Sequence, residues 1–353
     1  MKIEDIAKLA NVSKSAVSLA INGKPGVSEE TRNKILDIVR NQGYVPRSTR
    51  TEKISTTGNS IRFVACVHEG IILEHYNQQP FFMELIHYLE EKCRKRGLVL
   101  LFNTVPAADL EDKIEELEQE HESGGIILLG TNLSREQVQM IAARHKNLVV
   151  LDTCHNTLNA HFIVMNNMMG AYQAAQHLVS LGHKSIGYVQ SNVRMHNFNA
   201  RKEGFINALH EVGLDLAEKD LFTISPTIVS SQPEFTSAIR SRNGDLPSAL
   251  FCECDYIAIS VIKSFMELGI RVPHDISVVG FDNIHEAVVI SPELTTIHVE
   301  KEAIAETAVS KLLDLMENEG SSITTKIHID TRLVVRNSTS SFSNSTVQSL
   351  TKQ

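Results

Sequence analysis

The chain lacks the features of exported and membrane-spanning proteins. No uninterrupted apolar run in its 353 residues approaches the length of about 18 residues that a membrane-spanning helix needs. The first residues, MKIEDIAKLA, are too charged for a secretory signal peptide. Five cysteines, an odd number at irregular spacing, are not typical of a disulfide framework. We therefore expect a cytoplasmic protein with free thiols and no membrane partner.

The sequence also lacks the common motifs of enzymes and of cofactor sites. It contains no His-Glu-x-x-His zinc motif, no Walker loop, no nucleophile elbow and no Gly-x-Gly-x-x-Gly fingerprint. The Cys252 and Cys254 pair could take part in metal or redox chemistry, but Cys252 lies in a predicted strand and no third ligand clusters with the pair. We predict no catalytic residue, no metal ion and no cofactor.

Charge is distributed unevenly along the chain. Residues 1–60 contain ten Lys or Arg against six Asp or Glu, whereas the remainder contains 24 against 36. The first segment is therefore basic by four charges and the rest is acidic by twelve. Such a segment can contact an anionic partner, although ordinary surface charge would give the same balance.

The basic segment has the pattern of three short helices within residues 3–43. Apolar residues in IEDIAKLA follow helical spacing, Ser13 is placed to cap a second helix that runs to Asn22, and Ser28 is placed to cap a third. The turn between the first two helices is short. This spacing predicts a helix-turn-helix.

The second helix, within SKSAVSLAIN, has two different faces. Its polar face would be free to enter a DNA major groove, whereas a small helical cap with a polar surface is the alternative. The residues expected to pack inward are Ala7, Val12, Val17 and Ile21, and those expected to face outward are Lys14, Ser15 and Ser18.

A polar stretch separates this segment from a body of different pattern. RSTRTEKISTTGNS (47–60) has nothing that could anchor a core and is predicted to be a linker. From Ile61 onwards, eight short apolar runs that are typical of strands alternate with amphipathic stretches. They are IRFVACV, LVLLF, GIILL, LVVLD, FIVM, SIGYVQ, SALFC and SVVGF. This alternation predicts an α/β fold with parallel sheets, and its length favours two lobes.

The basic segment resembles the DNA-binding head of the LacI/GalR family of bacterial transcription regulators. The resemblance is carried by IEDIAKLANVSKSAVSLAINGKPGVSEETRNKIL and the GYVP that follows. It continues through the body in the family's order and covers residues 2–339. The body landmarks are HLVSLGHKSIGYV (177–189), RKEGF (201–205), RVPHDISVVGFDN (271–283), SPELTTIHV (291–299) and RLVVRNST (332–339).

The resemblance implies a homodimeric repressor that binds double-stranded operator DNA. Its body would be similar to periplasmic sugar-binding proteins, with two lobes closing on a small-molecule effector. A carbohydrate, either a sugar or a sugar derivative, is the expected effector, although some family members bind purines. A transport protein and a doubly wound enzyme are the rival classes, which the helix-turn-helix and the missing catalytic motifs disfavour.

The expected domain boundaries follow from these landmarks. Residues 1–45 form the DNA-binding domain, 46–60 the hinge or linker, 61–340 the effector-binding and dimerisation domain, and 341–353 a polar tail. Within the body, the first lobe is expected to comprise residues 61–163 and 293–322. The second lobe is expected to comprise residues 164–292 and 323–340.

The resemblance also assigns residues of the head to DNA contacts. Hydroxyl and amide contacts to phosphate would set the register, while the exposed helix face would read base edges. The positions that match the family's base-reading residues are Lys14, Ser15 and Ser18, and those that match its phosphate-binding residues are Asn22, Ser28 and Thr31.

Two positions, one in the head and one in the linker, depart from the family's pattern. Leu19 stands where many members have Arg, so it would either contact a thymine methyl group or pack against the third helix of its own head. Lys53 stands where members have a Leu that wedges into the minor groove. The neighbouring Ile54 is an alternative wedge, and a phosphate-binding or disordered linker is the other alternative.

For the effector, the carboxyl ends of parallel strands are the expected binding place. Asp152 and Asp282 each end a strand-like run, and Arg201 and Asp282 match the family's ligand-binding Arg and Asp. Asp255 is expected to cap the helix that follows it. The further candidates, which could instead be helix caps or core residues, are Phe81 and Phe82 as an apolar wall and Asn103, Thr131 and Asn197 as hydrogen-bond partners.

The departures at Leu19 and Lys53 lead to a testable prediction about the operator. Leu19→Arg should shift the preferred half-site from A·T towards G·C, because a guanidinium rewards guanine where a methyl contact rewards thymine. Lys53→Leu should sharpen dependence on the central base step, because an apolar wedge favours steps that open easily. Selection of binding sites from random duplexes checks both variants against the wild type, and identical preferences in all three would show that neither side chain reads DNA.

Overall fold

The computed structural model describes residues 3–21, 26–41, 59–67, 79–318 and 323–343. These residues belong to two units, a head that ends at Ser55 and a body that begins at Thr56. Of the positions predicted above, Asn22, Lys53 and Ile54 lie outside the described residues, as do most of the predicted linker and residues 344–353 of the predicted tail. No helix within the described ranges is long and apolar enough to cross a bilayer.

The head contains the three predicted helices, α1 (Ile3–Ala10), α2 (Lys14–Ile21) and α3 (Glu29–Asn41). Asn11 begins the turn between α1 and α2 with a φ of 56°, a left-handed conformation that Asn tolerates better than most residues. Ser13 then accepts a hydrogen bond from the Ala16 amide at 3.2 Å, which is the predicted cap of α2. The buried core of the head consists of Ile6, Ala7, Ala10, Val17, Ala20 and Ile35.

The body alternates strands and helices. Its strands are β1 (Ser60–Val67), β2 (Val99–Pro106), β3 (Gly125–Leu129), β4 (Leu148–Leu151), β5 (His161–Met165), β6 (Ile186–Ser191), β7 (Leu221–Ile224), β8 (Ala249–Cys252), β9 (Ser277–Asp282), β10 (Thr295–Val299), β11 (Lys326–Ile329) and β12 (Thr331–Val334). Its helices are α4 (Pro80–Lys95), α5 (Leu110–Glu120), α6 (Arg135–Arg144), α7 (Asn167–Ser180), α8 (His196–His210), α9 (Pro233–Ser241), α10 (Asp255–Glu267), α11 (Glu286–Val289) and α12 (Lys301–Glu317).

The strands form two sheets, which confirms the predicted α/β fold with two lobes. The strand order is β11-β5-β4-β3-β1-β2 in the first sheet and β12-β10-β9-β8-β6-β7 in the second. All described pairings are parallel except that of β10 with β12. We call the first sheet with α4, α5, α6 and α12 the first lobe, and the second sheet with α7 to α11 the second lobe.

The chain crosses between the lobes three times, and two crossings differ from the expected boundaries. β10 was expected in the first lobe but lies in the second, because it pairs with β9. β11 was expected in the second lobe but lies in the first, because it pairs with β5. The crossings therefore fall between β5 and α7, between β10 and α12, and between β11 and β12.

Candidate nucleic-acid interface and ligand pocket

The α2 helix presents one polar face and one buried face. Lys14, Ser15 and Ser18 are exposed on it, while Val17 and Ala20 are buried in the head core. The α3 helix is tied to the end of α2, because a guanidinium nitrogen of its Arg32 donates to the backbone oxygen of Ala20 at 3.2 Å. The three polar side chains assigned to base reading are thus held on a helix that has its own supporting core.

The two described candidates for phosphate contacts stand together at the start of α3. Ser28 Oγ accepts from the Thr31 amide at 3.3 Å and lies 2.8 Å from Thr31 Oγ1. Ser28 therefore caps α3, as its spacing predicted. The N-terminus of a helix favours anions, so the cap is compatible with a phosphate contact at the same place.

Leu19 lies outside the core of the head. It is half-buried, and a Cβ added at Gly26 would lie 3.3 Å from Leu19 Cδ1. The core positions contributed by α3 are filled by other apolar residues, with Ile35 buried and Ile38 and Val39 packed beside it. Because Leu19 is partly exposed and is not part of this core, its side chain can still contact DNA, and that contact stays a prediction.

In the body, a cavity lies where the carboxyl ends of strands from both lobes meet, and its empty space of about 480 Å³ includes solvent at its open side. The structure brings seven of the eight predicted effector residues to its wall. They are Phe81, Phe82, Thr131, Asp152, Asn197, Arg201 and Asp282. The carboxyl-end rule for open parallel sheets explains Thr131, Asp152 and Asp282, which follow or end β3, β4 and β9.

Arg201 is held in the cavity wall by several partners. Its Nη2 lies 3.2 Å from Asp282 Oδ1, and its Nε donates to Asn167 Oδ1 at 2.9 Å. A third guanidinium nitrogen donates to the backbone oxygen of Glu253, and the guanidinium carbon stands 3.7 Å from the centre of the Phe281 ring. These contacts fix the orientation of the only charged donor in the described wall of this cavity.

Asp282 is a buried carboxylate on a strained backbone. Its φ is 113°, a region that residues with a side chain rarely adopt. Burial raises the pKa of Asp282 to about 6, and the positive charges of Arg201 and Lys301 oppose that rise. The carboxylate is therefore mostly ionised at neutral pH, when it can accept hydrogen bonds from Arg201 and from a ligand.

Asp152 joins the two lobes. Its Oδ1 accepts from Asn197 Nδ2 at 2.7 Å and its Oδ2 accepts from the Thr131 hydroxyl, so its partners come from the second and the first lobe. Burial raises the pKa of Asp152, and the bond from Thr131 opposes the rise. A ligand that hydrogen-bonds to Asp152 would thus act on a contact between the lobes.

Aromatic and sulfur side chains form a large part of the remaining wall. Phe81 and Phe82, at the start of α4, meet edge to face with ring centres 5.4 Å apart. Tyr256 from the second lobe accepts a hydrogen bond from the Phe81 amide at 3.4 Å through its hydroxyl oxygen. The wall residues that sequence reasoning missed are Gln79, Met165, Met195, Phe198, Pro226, Thr227, Cys254 and Tyr256.

Asn103, the eighth predicted effector residue, is not part of this cavity wall. It lies in β2, at the edge of the first sheet, and its Oδ1 accepts from the buried Arg62 of the neighbouring β1 at 2.5 Å. Arg62 also pairs with Glu118. The amide therefore satisfies a buried guanidinium in the first lobe.

Asp255 has a different role from the predicted cap of its own helix. It is the first residue of α10, and its carboxylate accepts from the Ile284 amide at 3.0 Å and from the Thr296 hydroxyl at 2.6 Å. It thus holds the turn after Asp282 against β10. Burial raises the pKa of Asp255 to about 8, with a further rise from the charge of Asp282.

The cysteines are buried thiols. None of the five takes part in a disulfide, and burial raises the pKa of Cys252 and Cys254 well above its ordinary value. Cys254 lines the cavity, whereas Cys252 points into the core of the second lobe. In the part of the chain that the structure describes, no group of three or more His, Cys, Asp or Glu side chains could hold a metal ion.

The head and the body each match a known protein family. Residues 2–47 match the family described as bacterial regulatory proteins, lacI family, and residues 175–339 match the periplasmic binding protein-like domain. The HTH-type transcriptional repressor PurR of Mannheimia succiniciproducens is 32% identical over 342 residues, which cover 95% of this chain and 98% of that protein.

Two solved structures have the same fold as this chain. One is the lac repressor dimer bound to operator and the anti-inducer ONPF, with a TM-score of 0.71 at 20% identity. The other is the complex of the transcriptional regulator CelR with cellobiose, with a TM-score of 0.68 at 22% identity. Each comparison covers 96% of this chain and 99% of the other.

The buried carboxyl of Asp255 predicts how stability depends on pH. Its folded pKa of about 8 is far above the value of about 4 in an unfolded chain, so folding takes up a proton between these values. The free energy of unfolding should therefore fall as pH rises through this range, and Asp255→Asn should remove a slope of about 1 kcal/mol per pH unit.

Urea unfolding at about pH 6, 7 and 8 measures this difference, with Asp112→Asn at an exposed position as the control. Equal slopes for the wild type and Asp255→Asn would contradict the assignment.

Proposed function

This chain belongs to the LacI family of bacterial regulatory proteins and is a DNA-binding transcriptional repressor controlled by a small molecule, and we propose that the controlling molecule is a carbohydrate held in the cavity between its lobes. Membership of this family makes the chain a regulator of transcription and not an enzyme. The observation that carries the proposal is the meeting of Arg201, Asp282 and Asp152 at the carboxyl ends of both sheets.

The chemistry of the cavity wall suits a carbohydrate. A guanidinium, two carboxyl groups, two amides and three hydroxyls stand beside aromatic rings, a combination that can bind several hydroxyl groups and cover the apolar face of a sugar ring. Two carboxyl groups against one guanidinium favour an uncharged sugar over a sugar phosphate, because a phosphate would meet the negative charge of Asp282.

A purine base is the second candidate effector. The four aromatic side chains in the wall, Phe81, Phe82, Phe198 and Tyr256, offer faces and edges for a planar ring. Asp282 and Asp152 could accept from its ring and exocyclic N–H groups. The relatives named PurR, which cover nearly the whole chain, favour this candidate.

We further propose that the chain acts as a homodimer in the cytoplasm, where its DNA target lies. Two heads on a dimer would read two half-sites of an inverted repeat. The second lobe exposes Ile228, Val229 and Met266. A hydrogen bond of 2.8 Å between Ser231 and Glu267 holds these two segments side by side. An exposed apolar patch of this kind favours contact with a second copy.

The head assignment predicts the outcome of a truncation. The full chain should bind a duplex obtained by selection, and its affinity should fall about a thousandfold between about 50 and 200 mM salt, because several phosphate contacts release counterions. Removal of residues 1–45 should abolish specific binding. A gel-shift assay measures both, and specific binding that survives the deletion would show that the head is not the DNA-binding domain.

The cavity assignment predicts separate effects on effector response and DNA binding. Arg201→Ala and Asp282→Ala should each reduce the effector response at least about tenfold, because a charge-assisted hydrogen bond is lost, while operator affinity without effector is retained. The affinity for labelled operator, measured with and without ribose, cellobiose, hypoxanthine or guanine, identifies the effector whether it weakens or strengthens DNA binding and measures the change.

The two variants also remove one partner of a buried ion pair, which costs stability. Circular dichroism therefore checks that both remain folded, Asp282→Asn serves as a milder change, and Glu203→Ala on the exposed side of α8 is the control. Unchanged effector titrations in folded Arg201→Ala and Asp282→Ala would remove both residues from the site.

A further inference from the structure

A series of buried side chains connects Arg201 in the second lobe with Asp152 in the first. Arg201 Nε donates to Asn167 Oδ1 at 2.9 Å, Asn167 Nδ2 donates to Asn197 Oδ1 at 2.9 Å, and Asn197 Nδ2 donates to Asp152 Oδ1 at 2.7 Å. All four side chains belong to buried residues. We call the two amides, Asn167 and Asn197, the amide relay.

The hydrogen bonds of the amide relay can be donated in only one direction, from Arg201 towards Asp152. The guanidinium of Arg201 can only donate hydrogen bonds, so the amide beside it must offer its oxygen, and the next amide must offer its oxygen in turn. Each amide must therefore turn its oxygen towards Arg201 and its nitrogen towards Asp152. A change in the hydrogen bonds at one end therefore changes the hydrogen bonds at the other, because reversing one amide would place two donors or two acceptors in contact.

Asn167 occupies a particular position in this series. It is not part of the cavity wall but is the first residue of α7, directly after the crossing from β5. Its Nδ2 also lies 3.3 Å from the backbone oxygen of Met165, the last residue of β5. One side chain thus contacts the strand of the first lobe, the cavity arginine, and the amide that bonds across the lobes.

We propose that Asn167 is a positioning residue that couples the cavity to the crossing between the lobes. Its amide orients Arg201 and Asn197 together, so that the contact of Asn197 with Asp152 holds the two lobes in one relative arrangement. A ligand that competes for Asp152 or Arg201 changes the set of bonds that Asn167 can make, and with it the crossing segment.

The consequence for regulation rests on the proposed effector site, whereas the coupling itself can be tested in the full chain without effector or DNA. The coupling through Asn167 can therefore be shown to be wrong while the effector site is right, and the reverse.

Hydrogen–deuterium exchange on the full chain tests the coupling. Asn167→Asp keeps the acceptor for Arg201 but replaces the amide donor by an oxygen that faces two acceptors. Asn197 would then turn its amide nitrogen towards the new carboxylate and lose its bond to Asp152. Exchange should become about ten- to hundredfold faster, the factor expected for loss of a hydrogen bond to a charged group. The increase should occur in peptides 128–134 and 150–156 of the first lobe, which contain none of the hydrogen-bond partners of the Asn167 side chain, Met165, Asn197 and Arg201.

Low pH should reverse the effect of Asn167→Asp. A protonated carboxyl has the shape of the amide and can donate to Asn197 while accepting from Arg201. Exchange rates, corrected for the intrinsic effect of pH, should therefore return towards those of the wild type as the pH falls from about 8 to about 5. The charged groups linked to this position by hydrogen bonds are Arg201 directly, Asp282 through Arg201 and Asp152 through Asn197, and the titration of the two carboxyl groups is removed by comparison with the wild type at each pH.

A local control separates this role from simple support of a helix. Met169→Gly weakens the first turn of α7 at an exposed residue outside the relay and should affect only nearby amides. If Asn167→Asp accelerates exchange only in residues 166–172, as the control does, or nowhere, the proposal is wrong. If Asn167→Asp does not fold, Asn167→Ser should give the same distant increase without recovery at low pH, and an increase confined to the start of α7 would again overturn the proposal.

Discussion

Arg201 and Asp282 form an ion pair of 3.2 Å at a place where both side chains are almost fully removed from water. Buried charges are costly unless each is paired and hydrogen-bonded. The second lobe meets this requirement with Asn167, the backbone oxygen of Glu253 and the ring of Phe281 around the guanidinium. The cavity can expose a fixed donor and a fixed acceptor because the surrounding residues satisfy the remainder of both groups.

The need to pair buried charged and polar groups also produces bonds between the two lobes. Lys301 is buried at the second crossing, where its Nζ lies 3.2 Å from the backbone oxygen of Asp282 and 3.0 Å from Glu84 on α4. The other two crossings are bonded to each other, because Asn166 at the first crossing donates a hydrogen bond of 2.8 Å to Asp330 at the third. Polar groups near the cavity are thus bonded across the crossings, so a ligand that alters these bonds has a direct physical route to the arrangement of the lobes.

The sequence predicted the fold where the local pattern was strong. The eight apolar runs identified as strands became strands, and α2 and α3 began at their predicted caps. β7, β10, β11 and β12 were not recognised, because LFTI, TTIHV, KIHI and TRLV are short and mix polar with apolar residues. Without β10 and β11, the two later crossings could not be placed, since only strand pairing shows which sheet each joins.

The site was predictable in part for the same reason. The carboxyl-end rule found Asp152 and Asp282, and applied to every strand it would also have found Met165 and Cys254, which end or follow β5 and β8. Asn103 follows the same local pattern, but its strand lies at the sheet edge beside the buried Arg62, and no sequence signal reveals that partner.

The claim that a ligand in this cavity controls DNA binding is most directly tested by measuring linkage. Operator affinity is determined with and without saturating amounts of the one probe, among the sugars and purines named above, that binds the chain in calorimetry. The affinity of the same probe is then determined for the free chain and for the operator complex. The account predicts that both affinities change by the same factor, on the order of 5- to 150-fold. A probe that fills the cavity and leaves operator affinity unchanged would contradict it.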